Sequence, residues 1–108
     1  MAITETINTP LNLMRMAVIS YIDTGTVAAR AFTVGFKPRY VQVVNETDRI
    51  QEEWFEGMAD AEGLLQIANG TKTLITVDGI TVSNSGFTFG LDTTIHITNK
   101  QYSMLVLG

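Results

Sequence analysis

The sequence predicts an all-β protein, a single-domain antiparallel β-sandwich of jelly-roll type with an extended N-terminal arm. Three observations support this class. Threonine makes up 15 of the 108 residues, and β-branched side chains favour strands because they are stiff and pack well on a pleated surface. Nine glycines and several Asn and Asp residues interrupt the apolar stretches at short intervals, which is typical of short strands joined by turns. A length of 108 residues suits one domain.

The chain divides into an arm and a domain. Residues 1–12 are polar, lack periodicity and contain Pro10, so we predict an arm that lies along another surface or frays. Residues 13–108 are predicted to form the β-sandwich domain. Its first four strands are bounded by turn residues and span residues 14–22, 27–36, 40–44 and 50–58. In the third of these strands, Val41 and Val43 share one face.

Two neighbouring segments mix helix-forming and strand-forming residues. Residues 50–58 fit a helical turn or a strand, and we predict a strand because the flanking segments are strands. Residues 59–69 contain better helix formers, but Gly63 divides them, so we predict a loop with at most one helical turn. A hairpin turn at Asp78-Gly79 and further turns then connect the remaining strands. These strands span residues 71–77, 80–82, 87–89, 95–97 and 102–107.

The composition excludes several kinds of site. The chain has no cysteine, which excludes disulfides and thiolate metal sites, and its single histidine is His96. His96 lies between two isoleucines, so it faces solvent if they point inward, and we interpret it as a surface residue without a special role. No glycine-rich phosphate-binding motif occurs. We therefore predict no catalytic residue, no cofactor and no metal.

Charge and hydropathy restrict the partners. The net charge of −4 argues against nucleic acid, and no apolar run approaches the ~18 residues that a membrane-spanning helix needs. Seven of the eleven acidic residues fall in one stretch, predicted to be a solvated face or a face for a basic partner. They are Glu46, Asp48, Glu52, Glu53, Glu56, Asp60 and Glu62. A hydrolase based on paired carboxylates is disfavoured, because a small domain of short strands has little room for a substrate cleft.

An interaction surface is predicted from aromatic and apolar residues. Trp54 and Phe55 are adjacent in a strand, so one of them points away from the core, although the sequence does not indicate which. Outward aromatic side chains are favoured interface anchors, and Tyr40 nearby would allow stacking on a sugar ring. The predicted C-terminal strand is apolar, and its last residues include Leu105 and Leu107. These five residues are the predicted interface.

Six segments of the chain resemble small virion proteins of tailed bacteriophages, and the resemblance covers roughly residues 26–106. In the first half they are Gly35–Asn45, Thr47–Arg49 and Glu53–Met58. In the second half they are Gly79–Val82, Gly86–Asp92 and Ile95–Thr98.

The resemblance implies a β-sandwich or jelly-roll protein of the phage particle. Such proteins are often capsid decoration or cement proteins, which bind the outer capsid surface, stabilise contacts between major capsid subunits and are commonly homotrimers. The implied location is the virion, on the capsid surface rather than the tail, with residues 1–12 reaching across a seam between subunits. Related sandwiches in tails and fibres leave an alternative, a module that binds a host receptor or glycan. The resemblance brings no catalytic residues.

Overall fold

The computed structural model describes residues 15–108, so the predicted arm at residues 1–12 lies outside the described residues. The described part contains eight β-strands and no helix, which confirms the all-β class. The strands are β1 (Met16–Ile22), β2 (Arg30–Thr33), β3 (Tyr40–Asn45), β4 (Ile50–Phe55), β5 (Glu62–Gln66), β6 (Lys72–Val82), β7 (Gly86–Phe89) and β8 (Gln101–Leu107). They form one antiparallel sheet in the order β1-β8-β3-β4-β5-β6-β7-β2, which curls into a half-barrel.

The core lies on the inner face of the curl. Strand alternation produces it, because every second side chain of a strand points to the same face. In β3 the predicted pair Val41 and Val43 is fully buried, and β8 contributes Tyr102, Met104 and Val106. The other buried apolar residues are Phe36, Trp54, Leu65, Ile80, Phe87, Phe89 and Ile95. Burying a large apolar side chain contributes roughly 1.5–3 kcal/mol, so this inner face is the main source of stability.

The two edges of the sheet are β1 and β2. Within residues 15–108, β1 pairs with β8 and β2 pairs with β7, and neither has a second neighbour. Side chains connect the two edges where the sheet curls back on itself. The rings of Tyr21 and Phe32 meet edge to face at 5.2 Å, and the Arg30 Nε donates to Asp23 Oδ2 at 2.8 Å. The curl is therefore closed by side-chain contacts rather than by a ladder of backbone hydrogen bonds.

The segment between β7 and β8 forms turns, so the strand predicted at residues 95–97 is wrong. The backbone N–H of His96 donates to the Asp92 carbonyl at 2.8 Å, which bends the chain. The Tyr102 hydroxyl accepts from the Ile97 N–H at 2.7 Å and donates to the Ile95 carbonyl at 2.6 Å. Without strand alternation, Ile95 and His96 are both buried, and the prediction of a solvent-facing His96 is also wrong.

Replacing Tyr102 by phenylalanine is expected to lower the free energy of unfolding by about 1–2 kcal/mol, because the Ile97 N–H would lose its partner and the buried Ile95 carbonyl would keep only the bond from Asn45 Nδ2. Chemical denaturation measures the change. Tyr40→Phe is the matched control, since the half-buried Tyr40 hydroxyl donates to a side chain, Glu53, that water can solvate instead. Equal losses in the two variants would contradict the anchoring role of Tyr102.

Two predictions around β5 and β6 are wrong for a shared reason. Residues 59–69 contain β5 rather than a loop, and the predicted hairpin turn at Asp78-Gly79 lies inside the continuous strand β6. Opposite β5, the register jumps from Ile75 to Ile80, so the residues between them bulge out of the ladder. The Gly79 N–H donates to the Ala61 carbonyl at 2.9 Å, and the Gly79 carbonyl accepts from the Gly90 N–H at 3.0 Å. These long-range bonds hold a bulge where the local sequence favours a hairpin.

The second predicted strand, residues 27–36, is shorter in the structure. Only Arg30–Thr33 pair as β2. The N–H groups of Val34 and Gly35 both donate to the Ser85 carbonyl, at 2.9 and 3.0 Å, and Gly35 adopts a φ of 86°. The left-handed conformation at Gly35 therefore ends the strand.

Candidate interaction surface

The outward side chains of four neighbouring strands form rows across the sheet. In one row Met16 of β1 lies opposite Leu107 of β8, Leu107 opposite Tyr40 of β3, and Tyr40 opposite Phe55 of β4. In the next row Val18 lies opposite Leu105. We call this set the outer apolar patch; its members are Met16, Val18, Tyr40, Phe55, Leu105 and Leu107.

Three members of the outer apolar patch are strongly exposed: Met16 at 61%, Val18 at 73% and Phe55 at 47%. Tyr40 is half-buried, with its ring 5.1 Å from that of Phe55 and its hydroxyl donating to Glu53 Oε2 at 2.6 Å. Burial, and then the hydrogen bond to the Glu53 carboxylate, raise the pKa of Tyr40 well above its usual range. The Tyr40 ring is therefore a neutral, fixed platform beside Phe55.

The structure separates the adjacent aromatic pair. Phe55 points outward, whereas Trp54 is only 5% exposed and lies on the inner face opposite Val41. The Trp54 Nε1 donates to the Ala59 carbonyl at 3.2 Å, which satisfies its polar atom inside the fold. Trp54 is thus a core residue, and we remove it from the predicted interface. The other four predicted residues lie together in the outer apolar patch.

Sequence reasoning missed Met16 and Val18 as members of this surface. The signal was present, because the residues of β1 are apolar on both alternating faces. A strand with one solvated face normally shows polar residues there. In β1 the outward positions carry Met16, Val18 and Ile22, with Ser20 between them.

The acidic stretch does not form one face. Glu53 lies outward against Tyr40, Glu46 accepts from the Ser103 hydroxyl at 2.6 Å, and Asp48 accepts from Lys100 at 3.3 Å. Glu52 is fully buried on the inner face. Its placement contradicts the prediction that all seven acids form one solvated or partner-facing surface. Most of the others are engaged by neighbouring groups of this chain.

Glu52 occupies an unusual position in the core. It lies between Val43 of β3 and Leu65 of β5, and neither of its carboxyl oxygens has a hydrogen-bond partner within residues 15–108. Its carboxyl group covers the Cα of Gly63, where any side chain would collide with it. Burial, and to a smaller extent the Asp92 charge, raise the pKa of Glu52 to about 8. The group is therefore mostly protonated at neutral pH.

Tyr21, Asp23 and Arg30 form a hydrogen-bonded cluster with His96 where the edges of the sheet meet. Asp23 Oδ2 accepts from Arg30 Nε and from the Tyr21 hydroxyl, both at 2.8 Å. The bond from Arg30, and then that from Tyr21, lower the pKa of Asp23 to about 2. His96 Nδ1 lies 3.0 Å from the Gly90 carbonyl, which only accepts, so Nδ1 carries a proton. Burial lowers the pKa of His96.

The burial and contacts of this cluster indicate a structural role. His96 is 1% exposed and stacks on Phe89 at 4.2 Å between ring centroids, so no substrate reaches its ring. Asp23 is buried as well and engaged by Arg30. Among residues 15–108, no group of three or more His, Asp or Glu side chains is arranged to hold a metal ion.

The outer apolar patch is therefore the candidate functional site. No protein-family model matches the sequence, and no match was found among curated proteins or solved structures. The resemblance to phage virion proteins thus stays a prediction. The part of the chain from residue 15 to residue 108 contains no helix able to cross a membrane.

Proposed function

We propose that this chain is a non-enzymatic structural protein that binds the surface of a larger protein assembly through the outer apolar patch. The continuous row from Met16 through Leu107 and Tyr40 to Phe55 carries this proposal. Contiguous exposed apolar side chains on a small domain mark protein interaction sites, and aromatic residues dominate their binding energy. Glu52 and His96, two groups of a kind that serves catalysis in enzymes, are enclosed in the core.

The specific form that we propose is a capsid decoration or cement protein of a tailed bacteriophage, on the outer capsid surface of the virion. Its partner would be the major capsid protein, with further copies of this chain, commonly three in such proteins, beside it. The support is the resemblance of the segments quoted above. The curled antiparallel sheet would serve as the jelly-roll-like body, and residues 1–12 as the arm toward a neighbouring subunit.

Phe55 would be the anchor of this interface. Its ring is about half exposed and backed by the Tyr40 ring, which Glu53 holds in place. An aromatic residue that is already ordered loses little conformational entropy on binding. Because Phe55 is already about half buried, covering the rest of its side chain would contribute roughly 0.7–1.4 kcal/mol at each copy.

One observation favours a second candidate, a tail or fibre module that binds a host receptor or glycan. The rings of Tyr40 and Phe55 are adjacent on the exposed face, with centroids 5.1 Å apart. Aromatic faces of this kind stack on sugar rings. The acidic side chain of Glu53 beside them would accept hydrogen bonds from sugar hydroxyls.

Replacing Phe55 by serine is expected to weaken binding to capsids that lack this protein by about 10-fold, because losing this half-exposed aromatic anchor costs about 1.4 kcal/mol. Co-sedimentation of the purified chain with such capsids measures the affinity. Val77→Ser is the matched control: Val77 is 68% exposed in the bulge of β6, outside the paired rows that contain the outer apolar patch.

The outcomes separate the two candidates. Unchanged capsid binding by Phe55→Ser would rule out the patch as the capsid-binding surface. Glycan-array or host-cell binding that depends on Phe55, without capsid binding by the wild type, would replace the capsid assignment with the receptor-binding alternative.

A further inference from the structure

A carboxylate lies among the aromatic residues of the outer face without a cation of this chain to balance it. Glu53 Oε2 accepts from the Tyr40 hydroxyl, a neutral donor, at 2.6 Å. The ion pairs within residues 15–108 involve three other acids: Asp23, Asp48 and Glu56. All seven lysine and arginine residues of the chain lie in that range. A lysine or arginine that neutralises Glu53 must therefore come from another molecule.

The aromatic rings and the carboxylate have a spacing that suits a cation. Phe55, which is 47% exposed, and Glu53 are two residues apart on the outward face of β4, roughly 7 Å along the strand. A cation between them would lie within about 4 Å of both, inside the limit of about 6 Å for attraction to an aromatic face. Tyr40 contacts both residues: its ring lies 5.1 Å from that of Phe55 at an angle of 56°, and its hydroxyl is bonded to Glu53. The three side chains therefore border one position.

We propose that the side chains of Tyr40, Glu53 and Phe55 form a binding site for an arginine side chain of the partner protein. This inference rests on the proposed function, and it adds the chemistry that the partner must present. A guanidinium group is planar, so it can stack on the Phe55 ring while N–H groups in its plane donate to the Glu53 carboxylate. The ammonium group of lysine is more strongly hydrated and has no flat face to stack on the ring.

The charge of Glu53 selects this occupant. An apolar partner surface would take the carboxylate out of water without a counterion, which is unfavourable. An acidic group would be repelled, and a sugar would donate hydrogen bonds but leave the charge unbalanced. The net charge of −4 gives the whole chain the same preference for a basic partner.

NMR spectra of the full chain labelled with nitrogen-15 measure this site without an assembly. N-acetyl-arginine methylamide is expected to shift the backbone amide signals of Tyr40, Glu53 and Phe55 in a saturable way. The citrulline analogue, which has nearly the same shape but no charge, should not. Glu53→Gln and Phe55→Leu should each weaken the binding of the arginine probe by about 3- to 5-fold, because one exposed ion pair or one cation–π contact is lost.

Two controls complete the NMR experiment. Asp60→Asn removes the same charge from an exposed position between β4 and β5, and it should bind the arginine probe like the wild type. Equal effects of the arginine and citrulline probes would overturn the proposal. Equal binding of N-acetyl-lysine methylamide would overturn the choice of arginine.

Binding to capsids that lack this protein tests the same site within the assembly. Phe55→Leu is the informative variant, because leucine keeps most of the apolar area and removes the aromatic face. We expect its binding to be about 3- to 5-fold weaker. Glu53→Gln should also bind more weakly, and its binding should depend less on salt than that of the wild type. Glutamine still offers an acceptor to the Tyr40 hydroxyl, and circular dichroism checks that both variants fold.

The two experiments separate this inference from the proposed function. A wild type that binds the arginine probe but not capsids would support the arginine site and overturn the capsid assignment. A wild type that binds capsids, with Phe55→Leu and Glu53→Gln binding as tightly as Asp60→Asn, would leave the proposed function in place and overturn the arginine site.

Discussion

At pH 8, replacing Glu52 by methionine is expected to raise the free energy of unfolding by about 2–4 kcal/mol. The wild-type carboxyl group is fully buried and neither oxygen has a partner among the described residues. A buried polar group without a partner costs about 1–3 kcal/mol, and a methionine of similar length would replace it with apolar contacts to Val43 and Leu65. The cost of ionising Glu52 adds to this difference at pH 8.

The pH dependence has a definite sign. Glu52 has a pKa of about 8 in the folded protein, against 4.5 as its ordinary value, so the folded state holds the proton over this interval while the unfolded state has lost it. The proton held by folded Glu52 therefore adds to the free energy of unfolding. This addition is complete below pH 4.5 and is lost as the pH rises toward 8. The lowered pKa of His96 acts in the opposite direction below pH 6.5. Between pH 6.5 and 8 the wild type should therefore lose about 1.6 kcal/mol, because the slope is close to 1.36 kcal/mol per pH unit at pH 6.5 and half of that at the pKa.

Urea denaturation at several values between pH 6.5 and 8 tests this expectation. Glu52→Met and Glu52→Gln should both give flat profiles, since neither variant has a group that titrates at this position. Glu53→Gln is the control, because Glu53 lies on the outer face against Tyr40, and it should keep the wild-type slope. A slope in Glu52→Met equal to that of the wild type would show that another group is responsible.

Replacing Gly86 by alanine is expected to lower the free energy of unfolding by about 3 kcal/mol or more. Gly86 lies opposite Thr33 where β7 meets β2. A Cβ there would collide with the Phe32 carbonyl oxygen and lie 2.9 Å from its carbon and 3.0 Å from the Thr33 Cα. All three are backbone atoms, so β2 itself must move away from β7. That movement would also separate Phe32 from Phe87, whose rings stack at 5.3 Å.

Thermal and urea unfolding measure this loss. Gly25→Ala is the matched control, because a Cβ at Gly25 would lie 3.8 Å from Asp23 Oδ1, an ordinary contact. We expect it to stay within about 1 kcal/mol of the wild type. If Gly86→Ala is too unstable to purify at 25 °C while Gly25→Ala is folded, the prediction holds. Nearly equal stabilities would contradict the close approach of β2 and β7.

Local pattern was enough where a strand shows strict alternation between its two faces. Val41 and Val43 were predicted to share a face and are both fully buried. The strand predicted at residues 50–58 is present but shorter, as β4, Ile50–Phe55. Alternation alone could not decide between Trp54 and Phe55. It requires opposite faces, but the direction in which the sheet curls decides which face is inside.

Prediction from the local sequence failed where backbone groups form hydrogen bonds with residues of another element instead of with their neighbours in the sequence. The Asp78-Gly79 turn favours a hairpin, yet Gly79 bonds to Ala61 and Gly90, so β6 continues through a bulge. His96 was predicted to face solvent from a strand, and the bonds of Tyr102 to Ile95 and Ile97 instead hold a buried turn. The partners in both cases are distant in sequence or come from another element.

The sequence by itself determined that this protein is all-β, because side-chain stiffness and turn chemistry act within a few residues. It also indicated Tyr40, Leu105, Leu107 and the pair Trp54 and Phe55 as candidate surface residues, without deciding which member of the pair faces outward. Only the tertiary structure decided that Tyr40, Phe55 and Leu107 lie in one row, with Leu105 in the next, and that Glu52 is enclosed. The physical reason is that the alternation of side chains between two faces is set by the residues of the strand itself. Which strands lie beside it, and which of its faces is buried, depend on strands far away in the chain.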